Sequence, residues 1–166
     1  WTAGITGFVF FAGTVYWVTN SVHFCGNIAL VPASLITLLL CVALALFIVP
    51  FGGAFVHIRA AHPRLLFLAA PALWVTLEYA RTHLFSGFPW MLLGYSPSRA
   101  LPVIQIADIT GVYGVSFLIA LVNTGIAEVL ADRKRFLPPA AAAVAMTAVL
   151  GYGYARLNEP ESTERI

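Results

Sequence analysis

Residues 28–56 run for 29 positions without one Asp, Glu, Lys or Arg, and residues 1–22 and 136–155 are equally free of charge. A helix that crosses the hydrocarbon core of a bilayer needs about 20 mostly apolar residues. In that medium every backbone N–H and C=O must be satisfied internally, which leaves helices and closed barrels as the spanning structures. Runs this long, without the alternation of a strand, point to helices. With 60% hydrophobic and 10% charged residues, the 166-residue chain has too little polar surface for a water-soluble domain of its size. The sequence therefore predicts an all-α fold, a polytopic membrane helix bundle.

Five spans are expected, at about residues 1–22, 30–56, 65–84, 111–130 and 136–155, making up a single domain over residues 1–158. The first ends on Tyr16-Trp17, residue types that favour the membrane–water interface. Its Gly4, Gly7 and Gly13 suit close helix packing. The second run exceeds what the bilayer requires, and Pro50 with Gly52 and Gly53 is expected to kink or end it. His57, Arg59, His62 and Arg64 then form a short basic loop. In the fourth span Ser116 and Asn123, seven apart, share a face and are read as interhelical hydrogen-bond donors and acceptors. In the fifth span the alanines from 140 to 145 suit close packing. Loops 57–64 and 132–135 carry Arg59, Arg64, Arg133, Lys134 and Arg135, so the positive-inside rule places them in the cytoplasm. Residues 159–166 read as the start of a linker. The chain opens at Trp1 inside an apolar run, without a basic leader, so a missing N-terminal portion is expected.

The stretch from residue 71 to 95, PALWVTLEYARTHLFSGFPWMLLGY, carries the candidate chemistry. Glu78 and Arg81 lie in an otherwise apolar helix, where an ionised side chain costs about 2.5–3.5 kcal/mol on insertion scales. Three residues apart, they share a face and can pair. Two readings stay open: a structural ion pair near the membrane surface, or a polar site facing a cavity or a lipid-entry groove. The helix then breaks at Ser86-Gly87-Phe88-Pro89 and delivers Trp90. Residues 85–108 contain Pro89, Pro97 and Pro102 and cannot form one straight helix. They are expected to form an interfacial or re-entrant arm on the outer side. His23 is read as a loop histidine or a contact to a lipid headgroup.

No nucleophile elbow, phosphate-binding loop or zinc-protease motif is present. Cys25 and Cys41 have neither disulfide nor metal spacing, and Cys41, in mid-span, is read as an inert small hydrophobe. No cofactor, no metal site and no nucleic-acid partner is expected.

Three segments resemble the membrane domain of bacterial apolipoprotein N-acyltransferases: residues 16–26 (YWVTNSVHFCG), residues 71–95, and residues 111–123 (GVYGVSFLIALVN). The middle one, LWxxxExxR followed by FxGFPWxxxGY, is the most specific. The resemblance implies a multi-pass enzyme of the bacterial inner (cytoplasmic) membrane. It would move an acyl chain from a phospholipid donor to the α-amino group of a diacylglyceryl-modified cysteine on a lipoprotein acceptor. In the family the chemistry belongs to a periplasmic nitrilase-like domain with a Glu-Lys-Cys triad, in which the thiolate is acylated and the lysine stabilises the oxyanion.

The present chain departs from that pattern. Its single lysine, Lys134, lies in a basic loop assigned to the cytoplasm, so no catalytic residue is carried over and the chain alone is expected to be inactive. The resemblance carries over a lipid- and substrate-binding face made of Glu78, Arg81, Phe88, Pro89, Trp90 and Tyr95, with His23 as a secondary candidate. Two alternatives remain at this level: a membrane scaffold for a polyprenol-phosphate mannose synthase, and part of a transporter. A transporter predicts a second polar span or an internal repeat, neither of which is visible.

Overall fold

The computed structural model describes residues 1–84 and 87–159. The described residues form eight α-helices and one 3₁₀ turn, with no strand among them. They are α1 (Thr2–Thr14), α2 (Trp17–Phe24), α3 (Leu30–Leu46), α4 (Val49–Ala61), α5 (Leu66–His83), the 3₁₀ turn (Leu93–Tyr95), α6 (Leu101–Ile104), α7 (Ala107–Ala131) and α8 (Leu137–Leu157). The helical membrane class is thus the observed one. Three stretches are long and apolar enough to cross a bilayer: Leu30–Ala61, Ala107–Ala131 and Leu137–Leu157. The bent pair α1–α2 makes a fourth when it is counted as one span. The chain divides into two compact units, Trp1–Pro63 with Ala80–Phe88, and Arg64–Tyr79 with Pro89–Ile166.

In the first unit α1 and α2 meet at a 53° bend, so the run expected as one span is broken at Val15 and Tyr16. Thr14 Oγ1 donates to the Phe10 carbonyl at 2.8 Å, a local bond that competes with the helical ladder just before the bend. Tyr16-Trp17 therefore marks the bend and not the end of the run, and α2 continues to Phe24.

On α3 the buried positions Ala33, Thr37, Cys41, Leu44 and Ala45 recur at helical spacing and are mostly small, whereas Val31, Leu35 and Leu39 point outward. That arrangement, small residues inside and large apolar ones outside, suits a helix solvated by lipid. Gly7 brings α1 close to Ala45 and Ile48, where an added Cβ would lie 3.2–3.3 Å from their atoms. A Cβ on Gly52 would meet that of Ala3 at 2.4 Å. Thr19 Oγ1 donates to Thr37 Oγ1 at 2.9 Å and joins α2 to α3.

The break between α3 and α4 falls at Phe47–Ile48, just ahead of Pro50, which sits in the first turn of α4. Proline has no N–H to donate and clashes with the carbonyl four residues back, so the interruption lies N-terminal to it. α4 runs to Ala61. His57 and Arg59 consequently lie on its last two turns, not in the loop expected from the sequence. Arg59 stands at the negative end of the helix dipole, which favours a cation.

In the second unit α7 begins at Ala107 but contains Gly111 at φ 64°, ψ −173°, a conformation open essentially to glycine alone. The kink separates the polar start of the helix, with Asp108, from the apolar span that the sequence placed from residue 111. α7 and α8 pack along their lengths. Gly125 lets Pro139 and Ala142 approach, with 3.2 Å left for a Cβ against Pro139. Gly153 lies so close to Pro102 of α6 that a Cβ would stand 1.8 Å from its carbonyl oxygen. Tyr152 O–H donates to Asp108 Oδ2 at 2.7 Å, and Arg156 Nε donates to the same oxygen at 3.1 Å, tying the end of α8 to the start of α7.

The arm is irregular, as its prolines require: between residues 87 and 106 no helix exceeds four residues. Residues 85–86 of the expected arm, and residues 160–166 of the expected linker, lie outside the described residues.

Candidate functional site

α5 is continuous through Pro71 to His83 and carries Glu78 in the second unit and Arg81 in the first. Both side chains are buried, each at 5% exposure. Such groups remain inside only if their polar atoms are met. Glu78 Oε1 accepts the indole N–H of Trp74, one turn earlier on α5, at 3.0 Å. The same oxygen accepts the backbone N–H of Leu93 at 2.6 Å. Oε2 is buried and, among the described residues, has no hydrogen-bond partner. The carboxylate is therefore held by neutral donors through one oxygen, and the cationic partner suggested by spacing does not supply those bonds.

Leu93 opens the 3₁₀ turn, and the next residue is captured from another helix. Gly94 N–H donates to Ser116 Oγ of α7 at 2.8 Å, and Ser116 is fully buried. Gly94 has no room for a side chain, since a Cβ would meet the Val112 carbonyl oxygen at 2.4 Å. Two successive backbone donors are thus taken by side chains from α5 and α7. Ser116 was read from the sequence as interhelical glue; its partner is instead the backbone of the arm. Asn123, read with it, is exposed.

Immediately before the turn, Leu92 is buried and Met91 holds φ at 56°. A non-glycine residue in that region is uncommon and persists where its surroundings over-determine it. Pro89 is exposed, and Trp90 and Tyr95 are each 50% exposed, on either side of the pinned backbone. Tyr79 and Tyr113 form an edge-to-face pair with ring centroids 5.6 Å apart.

The remaining expected residues belong to the first unit. The Arg81 guanidinium carbon lies 5.3 Å from the ring centroid of Phe11 and 6.0 Å from that of Phe88. Both distances are in the cation–π range, and Phe11 is buried. Phe88 N–H donates to the Arg81 carbonyl at 3.0 Å, and Gly87 takes φ 73° beside the Thr82 carbonyl. His23 lies in the last turn of α2, and its Nδ1–H donates to the Ile28 carbonyl at 2.6 Å, closing the turn into α3. Cys41 is buried and Cys25 exposed.

The expected residues thus fall into two sets. Glu78, Pro89, Trp90 and Tyr95 belong with the arm, and Arg81, Phe88 and His23 with the first bundle. Sequence reasoning missed Trp74 and Phe11, whose roles are visible only from what they touch.

The apolipoprotein N-acyltransferase N-terminal domain family matches residues 1–125. The chain belongs to that family. It is 39% identical over 165 residues to the apolipoprotein N-acyltransferase of Geobacter metallireducens, covering 95% of this chain and 31% of the relative. The Coxiella burnetii enzyme is 38% identical over 137 residues, covering 81% and 28%, and the Nitrosomonas europaea enzyme 39% over 140, covering 80% and 27%. The chain thus spans less than a third of the length of these relatives. The match ends at residue 125, within α7, so the family domain includes the arm, Glu78 and Ser116.

Proposed function

We propose that this domain is the membrane part of an apolipoprotein N-acyltransferase of the bacterial inner membrane. The whole enzyme would transfer an acyl chain from phospholipid to the N-terminal diacylglyceryl-cysteine of a lipoprotein. The domain supplies the lipid-handling scaffold, and a Glu-Lys-Cys domain beyond it supplies the chemistry, with the thioester on cysteine as the acyl carrier. The observation that carries the site assignment is the arm: Trp90 and Tyr95 stand half-exposed beside a backbone turn fixed at two successive residues. Indole and phenol rings in such a position partition to the headgroup level, with an apolar body and a polar tip.

Glu78 adds an anionic element. Its buried Oε2 has an unmet acceptor capacity that a primary ammonium would satisfy, whether of a lipid headgroup or of the lipoprotein α-amine before it is acylated. Arg81, with its planar donors, suits a phosphate. Lipids and the lipoprotein are the partners in this reading, and no cofactor takes part.

Five crossings are proposed, α5 among them, with Arg59 and Arg133 on the cytoplasmic side and Trp90 outside. Cysteine-accessibility labelling in intact cells tests this, and outside labelling of an Arg133→Cys variant would reject it. The chain alone is proposed to be inactive, because its one lysine, Lys134, lies in the basic loop between α7 and α8, which the proposed topology puts on the cytoplasmic side. Mass spectrometry after incubation in phospholipid vesicles checks that statement; a stable acyl adduct on Cys25 is the contrary result.

A further inference from the structure

The two glutamate oxygens are not equivalent, and the difference assigns a role that the lipid-handling reading does not contain. Oε1 faces the protein: it takes the Trp74 indole N–H and the Leu93 backbone N–H. Ser116 Oγ takes the next backbone N–H, that of Gly94. The residues on the N-terminal side are a buried Leu92 and a Met91 in the left-handed region. A turn of this kind has no ladder partner to hold it, and within a bilayer its freed N–H groups would be costly. We infer that Glu78 Oε1 and Ser116 Oγ form a two-point backbone clamp that sets the conformation of residues 91–95 and thereby aims Trp90 and Tyr95.

Glu78 and Ser116 are in this sense positioning residues. The clamp needs an acceptor at position 78, not a charge, because both of its donors there are neutral. A glutamine keeps the acceptor in place and puts an amide N–H₂ where Oε2 stood. Glu78→Gln therefore preserves the clamp and removes the anion, whereas Ser116→Ala opens half of the clamp and leaves the anion untouched. The inference rests on the proposed lipid-handling site for its functional meaning, but the clamp itself is measurable without turnover.

Two measurements test it. The first is hydrogen–deuterium exchange at the Leu93 and Gly94 amides, with the full chain in phospholipid nanodiscs. Loss of a net hydrogen bond corresponds to about a 2- to 10-fold rise in exchange for a neutral acceptor, and about 10- to 100-fold for a charged one. Ser116→Ala should raise exchange at Gly94, Glu78→Ala should raise it at Leu93, and Glu78→Gln should stay near wild type. The second is the ¹⁹F spectrum of the same chain labelled with 5-fluorotryptophan. The Trp90 line, assigned through Trp90→Phe, should broaden or split in Ser116→Ala and remain single in Glu78→Gln, a response that loss of global stability alone would not confine to one indole. If Ser116→Ala, folded by circular dichroism, leaves both the Gly94 amide and the Trp90 line unchanged, the clamp is wrong. If both respond but acyl transfer by the full-length enzyme carrying Ser116→Ala is unaffected, the clamp stands as structure and its role in aiming the site falls.

Discussion

The second unit contains two buried glutamates that have been made tolerable in opposite ways. Glu128, 7% exposed near the end of α7, accepts from Arg135 Nη1 of the turn before α8, and Arg135 also lies 3.9 Å from Asp132. Charge meets charge, beside a loop that holds Arg133 and Lys134 as well. Glu78 is met by an indole and a backbone amide, with one oxygen unmatched among the described residues. A carboxylate satisfied by a cation is complete and ties two elements together. One satisfied by neutral donors on a single side keeps its charge unspent at a place where desolvation makes that costly. The comparison supports the proposal that Glu78 serves the site while Glu128 serves the architecture, and single substitutions can break it.

The largest effect is expected from Glu78→Ala. It removes the acceptor that the half-buried Trp74 indole N–H and Leu93 amide share, and a hydrogen bond to a charged acceptor is worth about 1.5–3 kcal/mol. Unfolding in detergent should show a loss of about 2–5 kcal/mol on that basis. A loss below about 0.5 kcal/mol, the range of an ordinary surface substitution, would mean that the carboxylate is not holding the turn.

Gly94→Ala comes next. Its Cβ would meet a backbone carbonyl, that of Val112, at 2.4 Å, so the turn itself has to move away from α7. Overpacking of this kind costs about 1–3 kcal/mol. Because the same movement breaks the Ser116 contact, exchange at the Gly94 amide should rise with the loss of stability. A stable variant with an unperturbed amide would show that the turn is free to shift.

The two glutamates also indicate what could be read from the sequence. The apolar runs were sufficient for the helical membrane class because desolvation of backbone and charge dominates every other term there. Pro50 located the α3–α4 break to within a few residues, since its effect is local, whereas the kink of α7 at Gly111 was not foreseen. The pairing at 78 was not legible. Spacing of three residues makes Glu78 and Arg81 neighbours on a helix, but the bonds to Glu78 come from Leu93 and Trp74, and Arg81 lies over the rings of Phe11 and Phe88. A backbone N–H carries no residue type, so a sequence cannot announce that residue 93 will present one. Ser116 looked like helix glue for the same reason. The extension of α4 through His57 and Arg59 was hidden because basic residues serve a helix C-terminus as well as a loop.

Trp90→Ala should separate activity from stability. Trp90 is 50% exposed, so truncation removes limited buried area, and stability should stay within about 0.5 kcal/mol of wild type. In the full-length enzyme acyl transfer should fall by about tenfold or more, which corresponds to 1.4 kcal/mol of lost transition-state stabilisation. Wild-type turnover with both phospholipid donor and lipoprotein acceptor would reduce Trp90 to an interfacial anchor.

The smallest effect is expected from Glu128→Gln, and it sharpens the comparison most. Glutamine keeps a carbonyl acceptor for Arg135 and loses only the charge. The Arg135 side chain is 37% exposed, so its guanidinium can take water in place of the lost anion. Solvent access of that degree puts the pair nearer to a surface ion pair, worth about 0–1 kcal/mol, than to a sealed one. Stability should therefore fall by less than about 1 kcal/mol, and less still in high salt, where the pair is already screened. Acyl transfer by the full enzyme should not change. Glu78→Gln is the matched experiment: it too keeps its acceptor, with stability close to wild type, but acyl transfer should drop because the anion at Oε2 is gone. If the two glutamine variants behave alike in turnover, the unmatched oxygen of Glu78 has no partner in catalysis, and both glutamates are architectural.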